Sequence, residues 1–182
     1  MRKLEQDYWQ HIARLDADSM RDLIETYGQA VWNYAFLMTK RHDMADDIAQ
    51  DVFLQVYRSI DTYRGQSSMK TWLFAITRNK AFNYRRSAFF RKVMLVDWIT
   101  RQDSGPSAET EVLDQELTGE VWKLVMQLPS HYREVLILEA KYELSLKEMA
   151  HVLGVAEGTI KSRLSRARKK MNDMWKGAGT RE

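Results

Sequence analysis

The sequence contains no cysteine, which excludes disulfides, iron–sulfur clusters, thiolate zinc sites and cysteine nucleophiles at once. It has only 2 prolines and 8 glycines, too few breakers for a turn-rich β architecture. No apolar run approaches the ~18 residues a membrane helix needs; Ala35–Met38, Val93–Val96 and Val135–Leu138 are typical of the short runs present. Met1–Gln10 mixes charges without an apolar stretch, so no secretory signal is expected. There is no Gly-rich phosphate loop of P-loop type and no histidine pair at HExxH spacing. His11, His42, His131 and His151 are scattered. No catalytic residue, cofactor or metal is expected. What is present, 10 methionines and 6 tryptophans in 182 residues, suits long helices in one or two small domains of a cytoplasmic protein.

The net charge of +3 means little beside its distribution. Four aspartates and no base lie between Asp43 and Asp51, and six bases and no acid between Arg78 and Lys92. Six acids and no base follow from Asp103 to Glu120, then six bases and one acid from Glu157 to Lys170. Alternating blocks point to separate surfaces for separate partners, the basic ones suited to phosphates.

Apolar periodicity predicts an all-α fold in two compact halves. Ser19-Met20-Arg21-Asp22 resembles a capping box ahead of the stripe Leu23, Tyr27, Val31, Tyr34 and Met38. A second stripe after Asp43 holds Ala45, Ile48, Val52, Val56 and Ile60. Gly65-Gln66-Ser67-Ser68 breaks the chain, and Ser68 is the expected N-cap of a third helix carrying Met69, Trp72, Leu73 and Ile76. Trp72, Phe74 and Phe82 read most simply as core. A polar linker is expected at residues 95–112, separating domains at 1–94 and 113–182. In the second, Leu117, Val121, Leu124, Val125 and Leu128 form a stripe that Pro129 ends, and Ser130 is expected to cap the next helix.

Ser145 to Lys170 is the most informative stretch. Ser145-Leu146-Lys147-Glu148 is a full capping box before Leu146, Met149, Ala150 and Leu153. Gly154 interrupts the helix, and Ile160, Leu164, Ala167 and Met171 form the next stripe. Steeply crossing helices need a small residue at their contact (Ala150), a residue tolerant of positive φ at the turn (Gly154) and a core plug (Ile160); this is a helix-turn-helix. Its second helix leaves Glu157, Gly158, Thr159, Lys161, Ser162, Arg163, Arg166 and Lys169 outside the core stripe. The first of these suit base edges in the major groove, the later cations phosphates.

Leu128-Pro129, Tyr132-Arg133-Glu134-Val135-Leu136, Leu146-Lys147-Glu148-Met149-Ala150 and Gly158-Thr159-Ile160-Lys161-Ser162-Arg163-Leu164 together resemble domain four of the extracytoplasmic-function (ECF) sigma factors of bacterial RNA polymerase. Ala45-Asp46-Asp47-Ile48-Ala49-Gln50-Asp51-Val52-Phe53 and Thr71-Trp72-Leu73-Phe74-Ala75-Ile76-Thr77-Arg78-Asn79 are similar to domain two. The resemblance covers about residues 15–92 and 112–175. Asn83 stands where the family often has Asp, and Ala156 where Pro is common.

The resemblance implies a sigma factor that directs core polymerase to promoters of a stress or envelope-response regulon. Its expected partners are the β′ clamp helices and β flap of core polymerase, promoter DNA, and an anti-sigma factor that is often membrane-anchored. Asp46, Asp47, Gln50 and Asp51, with Phe53 as apolar anchor, are the expected polymerase contacts; a magnesium–diphosphate site on the aspartates is the rival reading. The −10 element is assigned to Tyr63, Arg64, Ser68, Arg78, Asn79, Lys80, Asn83, Arg85 and Arg86, where amides and cations suit an unpaired strand and the Tyr63–Ser68 loop a flipped base. The −35 element is assigned to the recognition-helix residues above. The acidic linker fits either a tether or a mimic threading the RNA exit path. A stand-alone helix-turn-helix regulator, with a sensing or dimerising first half, is the alternative function.

Overall fold

The computed structural model describes residues 15–95 and 119–178; the expected linker, apart from Leu95, lies outside them. Seven α-helices and one short 3-10 turn account for the described fold, all-helical as the periodicity predicts. The first half holds α1 (Ala17–Thr39), α2 (His42–Ser59), the 3-10 turn Ile60–Thr62 and α3 (Met69–Leu95). The second holds α4 (Glu120–Gln127), α5 (Ser130–Ala140), α6 (Leu146–Leu153) and α7 (Glu157–Ala178). Among the described residues no helix is long and apolar enough to cross a membrane.

Helix boundaries differ from expectation at three points. α1 is capped by Asp16, whose carboxylate accepts from Ser19 N at 2.8 Å, so Ser19 lies inside the helix. α2 begins at His42 after Arg41, without a side-chain cap. Ser130 is the first residue of α5, and Pro129 occupies the cap position. Two other caps form as read. Ser68 Oγ accepts from Thr71 N at 3.2 Å, and Ser145 and Glu148 make the reciprocal capping box.

The predicted stripes become the core. Leu23, Val31, Tyr34, Ala45, Ile48, Val52 and Leu73 are buried where α1, α2 and α3 pack together. The run Ala35–Met38 is buried all round, as a helix segment walled in on several sides must be. In the second half Gly154 takes the left-handed conformation at φ 62°, and Ile160 plugs the α5–α6–α7 core with no exposure. Tyr142, just past α5, sets its ring edge against Phe74 at 4.5 Å and donates its hydroxyl to Ala30 O at 3.2 Å. The halves therefore touch directly: α3 lies against α6, and α1 against α5.

Candidate polymerase and promoter surfaces

Helical geometry decides which groups of α2 face outward. Trp32 Nε1 donates to Asp46 at 2.6 Å. Asp51 accepts from the Tyr84 hydroxyl at 3.0 Å and lies 3.6 Å from Lys80 Nζ. Arg41 holds Asp43 and, through that hydrogen bond, keeps its carboxyl below the usual range. Asp47 and Gln50 remain exposed. The expected apolar anchor is corrected: Phe53 is buried in the core, and Leu54, 52% exposed, stands seven and four residues after Asp47 and Gln50 on the same helix face. Counting that spacing in the sequence identifies Leu54, which the motif-based reading passed over. Among the described residues no three His, Cys, Asp or Glu side chains are grouped to hold a metal ion, and Asp43, Asp46 and Asp51 point to different partners.

The loop before α3 is built around Tyr63. Its ring packs 5.2 Å from Trp72 and its buried hydroxyl donates to Ser67 O at 2.8 Å, so Tyr63 shapes the loop from inside while Arg64 is exposed. Gly65 supplies the left-handed turn, φ 63°. Along α3, Asn79, Asn83, Arg85 and Arg86 are exposed and Lys80 leans toward Asp51. Phe74 is buried and Trp72 half-buried, but Phe82 departs from the core reading. It is 43% exposed, with the Arg78 guanidinium 4.6 Å above its ring, a cation–π contact.

On α7, Glu157 occupies the first turn, where its charge complements the helix N-terminus. A Cβ at Gly158 would meet nothing within 4 Å, so the backbone is approachable there. Lys161, Ser162, Arg166 and Lys169 are exposed. Ser162 turns its hydroxyl back to Thr159 O at 2.9 Å, and Thr159 is half-buried. Arg163 is also half-buried, its charge reaching Glu134. Arg168, outside the candidate set, reaches both Glu139 oxygens at 2.7 and 2.6 Å and fixes α7 against α5.

Glu134 draws its place in this surface from tertiary contacts. Only 3% exposed, it accepts from the Tyr34 hydroxyl and from Arg78 Nε, each at 3.0 Å. Burial raises its carboxyl above the ordinary value, against the pull of Arg78 and Tyr34. Burial, then the Glu134 charge, pushes the Tyr34 phenol well up. The sequence signal for Glu134 was an acid immediately before the apolar run Val135–Leu138 of α5.

The Sigma-70 region 2 family model matches residues 23–89, and the Sigma-70 region 4 model matches residues 118–171. RNA polymerase sigma factor YlaC of Bacillus subtilis is 32% identical over 161 residues, covering 83% of this chain and 88% of that protein. ECF RNA polymerase sigma factor SigM of the same organism is 30% identical over 158 residues, covering 85% and 93%. Among solved structures, the sigma factor RpoE in complex with the anti-sigma factor NepR from Bartonella quintana aligns with a TM-score of 0.67 at 29% identity, covering 86% of this chain and 96% of that one. The first-half match sets aside the stand-alone regulator, which calls for a sensing or dimerising unit in that place. With both regions present in order, the chain belongs to the ECF RNA polymerase sigma factors.

Proposed function

We propose the following division of labour for this sigma factor, which directs core RNA polymerase to promoters. Asp47 and Gln50, with Leu54 beside them, dock on the β′ clamp helices, an acidic face with an apolar anchor meeting basic helices. Asn79, Asn83, Arg85 and Arg86 on α3, with Arg78 and the loop that Tyr63 shapes, hold the unpaired −10 strand. The exposed residues of α7 enter the major groove of the −35 element, and the second half meets the β flap. Capture of unpaired bases offsets the unstacking of the duplex, so strand opening requires no chemical step by this chain. The RpoE relative's complex with an anti-sigma factor supports an inhibitory partner of that kind here, acting in the cytoplasm.

The observation that carries this reading is one chain presenting an exposed acidic, apolar-tipped α2 and an exposed basic recognition helix. Run-off transcription from genomic promoter fragments with purified core polymerase tests it. Promoter-specific transcripts that appear only when this chain is added are expected; their absence refutes the reading.

A further inference from the structure

We infer that Lys40, Arg85 and Arg133 form an anion seat on the seam between the two halves, fitted to a small molecule bearing a diphosphate. Its consequence rests on the −10 assignment just made: a ligand held there withdraws Arg85 from the unpaired strand.

Three helices bring the cations together. Lys40 ends α1, Arg85 lies on α3, and Arg133 stands in the first turn of α5. Lys40 Nζ donates to Met126 O at 2.6 Å and Arg133 Nη1 donates to the same oxygen at 3.1 Å. Two full positive charges thus share one neutral acceptor. Burial, then Arg133 and Arg85, lowers the pKa of Lys40; burial, then Arg85, lowers that of Arg133, which Glu134 offsets only in part. Arg85 is therefore near enough for its charge to be felt by both. Among the described residues none of the three forms an ion pair. The two acids of the second half at the seam are already engaged, Glu134 by Tyr34 and Arg78 and Glu148 by Thr71 and Ser68.

The excess of charge selects the ligand. Arg133 is 5% exposed, and a buried cation without a carboxylate of its own leaves its desolvation largely uncompensated. Lys40 and Arg85 are exposed, so they make the contacts while Arg133 strengthens the local positive field. A phosphomonoester carries about −1.5 to −2 charges, short of three cations, whereas two linked phosphoryl groups match them. Arg85 offers paired donors to phosphoryl oxygens, and Lys40 a mobile point charge. A DNA duplex fits this cluster less well. Its phosphates are spread along a backbone with one charge each, and three cations around one carbonyl call for concentrated charge.

Calorimetric titration of the full-length chain with inorganic pyrophosphate tests the seat, with sodium sulfate at equal ionic strength as the control. One saturable site for pyrophosphate is expected, with a thermal midpoint raised more than by sulfate. Lys40→Asn keeps a residue type that tolerates the left-handed backbone at φ 59°. It and Arg85→Gln should each weaken pyrophosphate about tenfold, the scale of one lost charge-assisted hydrogen bond. Cooperative unfolding without anion shows that a variant is folded, and if one is not, the other decides. Pyrophosphate should also weaken binding of a single-stranded −10 oligonucleotide to the unaltered chain, and do so far less in K40N. Sulfate as effective as pyrophosphate, or variants that bind pyrophosphate as tightly, overturns the seat. So does an absence of pyrophosphate binding while K40N loses affinity for duplex promoter DNA, since the cations then serve the DNA backbone. Pyrophosphate bound through Lys40 without competition against the oligonucleotide upholds the seat and defeats the placing of Arg85 on the −10 strand.

Discussion

α3 and α7 are both long, basic and assigned to DNA, yet they meet anions differently. On α7, Lys161, Arg166 and Lys169 project into solvent. On α3, Arg78 is paired with Glu134 and Lys80 leans toward Asp51. A block of positive charge announces that a helix will meet anions; it does not say whose. Lys161, Arg166 and Lys169 of α7 await a ligand, whereas Arg78 and Lys80 of α3 first meet the chain's own carboxylates.

The largest effect that sharpens this contrast lies on neither basic helix. Asp47→Arg reverses the exposed acidic face and should weaken core-polymerase binding on the order of a hundredfold in a pull-down titration, leaving −35 duplex affinity intact. A double change on α7, Arg166→Ala with Lys169→Ala, should weaken −35 duplex binding across sequences. It should also flatten the salt dependence by about one log unit per phosphate contact removed, measured by anisotropy at several salt concentrations. Asn79→Ala on α3 should leave core binding alone and reduce permanganate reactivity of the −10 thymines; normal reactivity would break the distinction between the two helices.

Smaller effects test the frame that presents α7. Gly154→Ala forces a Cβ into φ 62° although space is open around it, so the cost is backbone strain alone, about 1–2 kcal/mol in denaturant unfolding. Ser145→Ala removes the cap of α6 at about 1 kcal/mol.

The smallest expected effect is a difference in sign with pH between the two seam carboxylates. Glu134, facing Tyr34, Arg78 and Arg163, is held above 4.5 by burial. Its contribution to folding is present below that value and is lost as pH rises through the raised one. Burial opposes the lowering of Glu148, but hydrogen bonds from Ser145, Thr71 and Ser68 outweigh it; its contribution is present above 4.5 and lost as pH falls through the lowered value. Thermal midpoints across pH should show the rising-pH loss disappear in E134Q and the falling-pH loss shrink in E148Q.

Much of this molecule was legible before any coordinates. Helical periodicity selected Leu23, Val31, Ile48, Val52 and Ile160 for the core because amphipathic spacing is a local property. The capping box at Ser145 and the positive φ at Gly154 follow from residue types a few positions apart. Asp47, Gln50 and most of the recognition helix are exposed as their polarity requires. Phe53 and Phe82 exchanged expected places, one buried and one exposed, because a motif names residue types and the packing of three helices decides which side each faces. The cap of α1 moved to Asp16 because two acceptors competed within a few residues.

By itself, then, the chain's order of residues determined an all-helical protein with an acidic helix, a basic helix and a helix-turn-helix, each set by interactions a few residues long. Only tertiary structure decided that Glu134 meets Tyr34 and Arg78, 100 and 56 positions away, and that Glu148 caps α6 while also bonding to Thr71. Contacts at such separations depend on how two helical units pack, and no local periodicity encodes them.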